Sequence, residues 1–219
     1  MKLTPRPLVL VLSLVAAAGI AAVGVWFETG PRTPTSQSAI VGKAVRTGTP
    51  AIGGPFTLVS TNGESVTDQT FRGRWLLIFF GYTSCPDVCP TALANVSAAL
   101  EKFGPDTSRL QPLFITVDPL RDTRDVMANY LTSFDARILG LTGTQAQIDQ
   151  VTKAYRVYVA LDKSEKGGDD YLVSHSAYLY LMDPKGTFVN VIEGKEDGDA
   201  IASWLWKEMT GSTRWRDSS

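Results

Sequence analysis

Two cysteines and one histidine are all that this chain has of those residues. A single pair of thiols cannot knit a disulfide framework, so the fold has to be held by burial of apolar side chains. Neither sign of charge dominates. The 21 Lys and Arg against 22 Asp and Glu leave a net charge of −1, without the basic footprint that nucleic-acid binding or a polybasic membrane surface requires. No internal repeat is visible, which sets aside stacked repeat architectures.

Residues 8–27 form a run of 20 without a charge. At about 1.5 Å per residue a helix of that length spans about 30 Å, the thickness of a hydrocarbon core. Lys2 and Arg6 precede the run, and Trp26 and Phe27 close it with aromatics suited to the interface. A cleaved signal peptide normally has a shorter apolar stretch. The expectation is therefore a membrane anchor over residues 1–27, with the positive-inside bias placing the remainder outside the cytoplasm. An Arg- and Ser-rich organelle presequence is absent, which points to a bacterial inner membrane with the C-terminal domain in the periplasm. Residues 28–51, rich in Pro, Thr, Ser and Gly, read as a flexible tether. Residues 52–209 read as the folded domain and 210–219 as a polar tail.

Within the domain, residues 56–60 and 65–67 flank Asn62-Gly63, the signature of a hairpin with a tight primed turn. Residues 75–80 are a buried strand. Pro90 suits the first position of a helix reaching Phe103, with Cys89 as its N-cap and residues 85–88 as a loop. A second buried strand covers 113–117. A helix over 123–134 places Val126, Met127, Tyr130, Leu131 and Phe134 on one face. A short strand at 138–141 follows, and Thr144 with Gln147 makes a capping box for a helix reaching about Tyr155. A charged loop at 162–170 joins strands at 157–159 and 171–173. A hairpin over 177–182 and 187–192 and a helix over 199–209 end the domain. This βαβα order followed by ββα predicts an α/β, thioredoxin-like fold with an added N-terminal β-hairpin, preceded by one transmembrane helix.

Chemistry concentrates in Cys85-Pro86-Asp87-Val88-Cys89-Pro90, at the carboxyl end of the first buried strand. Ligand and redox sites of α/β folds collect at such strand ends. Unpaired N–H groups at the following helix start favour a thiolate. On spacing alone, a structural disulfide or a pair of buried thiols fits as well. Thioredoxins usually place a cis-proline beside the active loop, but no proline occurs between Pro119 and Pro184. That place in the order holds Val173-Ser174-His175-Ser176, with the single histidine. Two thiolates and an imidazole are a soft donor set suited to Cu(I), whereas structural zinc wants a fourth protein ligand.

The string from Gly81 to Pro90, GYTSCPDVCP, strongly resembles the Sco/SenC family of membrane-anchored copper proteins needed for cytochrome c oxidase assembly. The resemblance continues through Ile52-Gly53-Gly54-Pro55-Phe56, Thr116-Val117-Asp118-Pro119, Leu141-Thr142-Gly143-Thr144, Tyr155-Arg156-Val157-Tyr158 and His175-Ser176-Ala177. It implies one copper ion bound by Cys85, Cys89 and His175, with Asp118 and Asp87 as outer-shell groups. Ser174, Ala92 and Leu120 stand where the family often carries acidic residues. The implied partners are the Cu-A subunit of the oxidase, an upstream copper donor or thiol reductant, and the membrane. Three functions fit: a metallochaperone delivering copper to the Cu-A centre, a thiol-disulfide reductase for that centre's cysteines, and a redox or copper sensor. A docking face is expected at Pro86-Asp87-Val88 and the 162–170 loop. The first of the three is not an enzyme. For the anchor, the expected result is retention in the membrane pellet after carbonate washing; a soluble mature chain lacking residues 1–27 would refute it.

Overall fold

The segment Trp75–Gly81 is buried on both faces beyond its first residue, as a strand covered on each side must be. The structure, a computed structural model, describes residues 52–162 and 171–212. Its strands are β1 (Thr57–Ser60), β2 (Ser65–Thr67), β3 (Trp75–Gly81), β4 (Leu110–Thr116), β5 (Leu139–Thr142), β6 (Val159–Asp162), β7 (Leu172–His175), β8 (Tyr178–Met182) and β9 (Phe188–Glu193). Its helices are α1 (Val88–Phe103), α2 (Arg124–Leu131), α3 (Gln145–Ala154) and α4 (Gly198–Thr210). Seven strands form one mixed sheet in the order β2-β1-β5-β4-β3-β8-β9, while β6 and β7 pair with each other. β3, β4 and β5 run parallel, and β8 returns antiparallel to β3. This is the thioredoxin-like α/β architecture, with the N-terminal hairpin joined to the sheet through β1 and β5.

Alternation along β3 sorts the core into two layers. Phe79 stacks on Phe114 at 6.1 Å, and Phe114 meets Tyr130 of α2 at 6.0 Å on the face that α1 and α4 also cover. Phe80 points the other way, 5.4 Å from Tyr155 at the end of α3 and 5.7 Å from Tyr180 of β8. Thr144 and Gln147 form the expected capping box of α3.

Four local expectations need correction. α1 starts at Val88 with Asp87 as N-cap, so Cys89 and Pro90 fall inside its first turn. Proline is tolerated there because first-turn N–H groups have no intrahelical acceptor to lose. The β1–β2 connection is not a primed two-residue turn: four residues intervene, and Gly63 has positive φ (87°) while Asn62 does not. Gly63 N–H donates to Ser60 O at 2.8 Å, closing the turn one residue earlier. α2 stops at Leu131, and Val126 is exposed while Met127 and Leu131 are buried. His175 is carried by the separate β6–β7 ribbon rather than by a strand of the main sheet. The expected anchor (1–27), tether (28–51), 163–170 loop and last residues of the tail lie outside the described residues. Among the described residues, no helix is long and apolar enough to cross a membrane.

α4 meets α1 at Gly198, where a Cβ would come within 2.7 Å of Ala98 Cβ and 3.1 Å of Ala99 N. Alanine is ordinarily better than glycine in a helix by about 1 kcal/mol. Here the close approach reverses the sign, because overpacking costs about 1–3 kcal/mol. Gly198→Ala is expected to lower the urea midpoint of unfolding; an unchanged or higher midpoint would refute the contact.

Candidate metal centre

β3 ends at Gly81, a position where nothing larger fits. A Cβ there would lie 2.8 Å from Cys89 Sγ and 2.8 Å from the Phe114 ring. The chain then turns outward through Tyr82, whose carbonyl accepts from Cys85 N–H at 3.3 Å, and re-enters as α1. That path sets the two sulfurs at different depths. Cys89 is fully buried over the strand end, while Cys85 is partly exposed, and both are free thiols. Cys89 N–H points at Cys85 Sγ at 3.5 Å, a first-turn donor of the kind that stabilises a thiolate.

The histidine arrives from the other side. β6 pairs with β7 in a register that sets Val159 opposite His175, and His175 Nε2 lies 3.3 Å from Cys89 Sγ. Its Nδ1 is 3.1 Å from Ser176 O. A carbonyl can only accept, so in the neutral ring Nδ1 carries the proton and Nε2 presents its lone pair to the sulfurs. The donor atoms of Cys85, Cys89 and His175 all lie within 4.8 Å of one another. Phe79 and Tyr82 stand edge-on to the imidazole at 6.1 and 5.9 Å, so the ring is walled by apolar surface on the inner side. On the outer side a cleft of about 310 Å³ opens between Cys85, Pro86, Val88, Leu172 and His175.

The two thiols share one proton unequally. Cys85 is drawn down to about 3, first because the Cys89 thiol donates to it; burial opposes this, and the N–H groups of Asp87 and Cys89 assist. Cys89 is pushed up, first because it is the donor to Cys85 and then by burial. The outer sulfur is thus the one that favours the thiolate and the inner one the proton. Two sulfurs and an imidazole form a compact, soft donor set, and its chemistry fits a Cu(I)-sized thiophilic ion.

Asp118 and Asp87 are placed differently from one another and from the donors. Asp118 is buried, but its carboxylate engages Arg121 and the Tyr171 hydroxyl, the latter at 2.7 Å, rather than a sulfur or the imidazole. Asp87 is exposed and makes no side-chain cap; its main-chain N–H, not its carboxylate, faces Cys85. Sequence reasoning passed over Asp122. It is fully buried and accepts from Thr83 N–H at 3.0 Å, Thr83 Oγ1 at 2.6 Å and Thr116 Oγ1 at 2.7 Å. It therefore ties the thiol loop to the end of β4. The one available signal was a second acid directly after Arg121, in a turn where a solvated aspartate is the ordinary expectation.

The SCO1/SenC family model matches residues 44–210. The chain is 42% identical over 159 residues to the human protein SCO1 homolog, mitochondrial, covering 71% of this chain and 52% of that protein. It thus spans about half the length of that curated relative. It is 34% identical over 182 residues to an SCO2-like protein of Rickettsia prowazekii, covering 83% of this chain and 86% of that one. Among solved structures it resembles Bradyrhizobium japonicum ScoI with copper bound, at 45% identity and a TM-score of 0.67, covering 72% of this chain and 99% of that one. It also resembles Arabidopsis thaliana ScoI with copper bound, at 38% identity and a TM-score of 0.69, covering 74% and 100%.

The proton distribution is checked by alkylation. In the reduced, metal-free chain, iodoacetamide is expected to label Cys85 at nearly the same rate at about pH 5 and pH 8, and Cys89 slowly at both. A Cys85 rate that falls about tenfold per pH unit below 8 would overturn the assignment.

Proposed function

The chain belongs to the SCO1/SenC family, and from that premise we propose that it is a copper metallochaperone of cytochrome c oxidase assembly. It holds one copper ion through Cys85, Cys89 and His175 and delivers it to the Cu-A centre of an oxidase subunit. The observation that carries this reading is the convergence of exactly those two sulfurs and one imidazole nitrogen within 4.8 Å. The copper in the Bradyrhizobium and Arabidopsis relatives supports the choice of metal.

The residues divide the work by depth. Cys89, held under the first turn of α1, is the inner donor, and Cys85 and His175 border the cleft. Loading displaces the shared proton, since both sulfurs must be thiolates to bind a metal. Transfer runs through the cleft: a thiol of the acceptor replaces Cys85 first, because that sulfur is reachable and Cys89 is not. Ligand-by-ligand exchange of this kind keeps copper from water throughout. In the proposed setting, residues 1–27 anchor the chain in a bacterial inner membrane, 28–51 act as tether, and 52–209 work in the periplasm.

One observation favours a second reading, the thiol-disulfide reductase. A thiolate at Cys85 beside a protonated Cys89 is the arrangement of an attacking and a resolving sulfur. In that reaction Cys85 attacks a partner disulfide to form a mixed disulfide. Cys89 then displaces the partner, which leaves with both thiols reduced while the chain is left with a Cys85–Cys89 disulfide. A fresh reductant must restore it.

The purified, reduced chain is expected to bind one copper. Cys85→Ser or Cys89→Ser should nearly abolish binding, and His175→Ala should weaken it and shift the Cu(II)–thiolate absorption, because thiolates are anionic ligands and imidazole is neutral. Full copper retention in both cysteine variants would end the copper reading. In cells at limiting copper, His175→Ala should impair oxidase assembly; normal assembly would give the lead to the reductase.

A further inference from the structure

The two arms of the centre come from separate pieces of the fold, and one short segment touches both. Residues 118–122 follow β4. At their end, Asp122 clasps Thr83 and so the thiol loop. At their start, Asp118 accepts from Arg121 Nε and from the Tyr171 hydroxyl. Arg121 itself lies over two aromatic rings: its guanidinium carbon is 3.7 Å from the centroid of Tyr171 and 5.6 Å from that of Tyr82. Its Nη1 also donates to Tyr171 O at 2.9 Å, at the entry to β7. The Tyr82 hydroxyl accepts from Val173 N–H at 3.3 Å, and the Tyr82 ring stands edge-on to His175. Arg121 and Asp118 themselves bond no donor atom of the centre; Tyr82 adjoins both the imidazole and the Cys85 thiol.

We propose that Arg121 is a positioning residue, whose guanidinium, packed on Tyr82 and Tyr171, fixes the β7 strand, and with it the His175 imidazole, against the two thiols. The physical reason lies in the construction of β7. It belongs to a two-stranded ribbon outside the main sheet, and an isolated two-stranded ribbon is marginal on its own. The ribbon therefore needs a fixed attachment to the thiol loop. A planar guanidinium with five donors can stack on two rings while bonding a carboxylate and a carbonyl, which an ammonium cannot do. Buried Asp118 holds that plane at the right height. The action proposed for Arg121 runs through the imidazole, as an outer partner that sets ligand orientation.

The inference rests on the copper reading above, so its test has one arm without metal. His175 is the only histidine in the chain, so its ring nitrogens give an unambiguous signal in NMR. In the metal-free full chain, Arg121→Ala and Arg121→Lys are both expected to move those signals away from the single Nδ1–H form that Ser176 O selects. With copper added, both variants should keep one ion through the thiols but bind it roughly 10–100-fold more weakly, the usual effect of losing an outer partner. Their Cu(II)–thiolate absorption should approach that of His175→Ala, and the double variant Arg121→Ala/His175→Ala should be no weaker than His175→Ala alone, since both changes act through one ligand. Wild-type ring signals and wild-type absorption in Arg121→Ala, with only a lower unfolding midpoint, would reduce Arg121 to a structural role and overturn the proposal. Additive losses in the double variant would overturn it too. If Arg121→Ala does not fold, Tyr171→Leu removes the closer ring and is read by the same signals. A wild-type chain that binds no copper would instead refute the function proposed above, leaving the metal-free arm to decide the role of Arg121.

Discussion

The first turn of α1 rests directly on the end of β3, and the centre's chemistry depends on that contact. Gly81 leaves room for Cys89 Sγ and for the Phe114 ring, each 2.8 Å from where a Cβ would be. Because the turn sits so close, Cys89 is sealed beneath it while Cys85 stays at the surface of the loop. Depth then becomes charge. A buried thiol keeps its proton, and a thiol that receives a sulfur donor and first-turn N–H groups gives its proton up. One packing constraint therefore sets the metal-free pair apart, an inner thiol that favours its proton and an outer one that favours the thiolate, from two residues of the same type.

The third donor is brought by a different device. β7 is not part of the seven-stranded sheet, so the imidazole is not placed by the ladder that places β3. Aromatic rings on the inner side and hydrogen bonds around Arg121 and Asp118 take over that task. The ring's tautomer is settled by Ser176 O, which turns the Nε2 lone pair toward the sulfurs. The arrangement leaves the three donors closed on the protein side and open to the cleft, as the proposed transfer of copper requires. The same openness would serve a thiol partner, which is why the sulfur chemistry of the site admits a second function.

Two acids separate the legible part of the site from the hidden part. Asp118 stood in a recognisable Asp-Pro pair, and its carboxylate serves Arg121 and Tyr171 rather than a donor atom. Asp122 had no motif to mark it, yet it holds the thiol loop with three donors while fully buried. A buried carboxylate is stable only with such partners. Those partners, Thr83 and Thr116, are far apart in the chain and adjacent only across β3 and β4. The same holds for the tight primed turn expected at Asn62-Gly63: the dipeptide was right for a hairpin, but the number of residues between paired positions decided the turn.

The sequence by itself determined the order of elements, the layered α/β class and the donor types, because these follow from hydrophobic period, turn residues and a rare trio of two cysteines and one histidine. It also determined that α1 would begin beside the thiols, since Pro90 can stand only near a helix start. The tertiary structure alone decided which sulfur is deep and which is reachable, that His175 comes from a separate ribbon, and that Arg121 and Asp122 bind the two arms together. These are contacts between segments 39 to 91 residues apart. No local periodicity encodes them, and they exist only once the sheet has brought β3, β4 and β7 to one end of the domain.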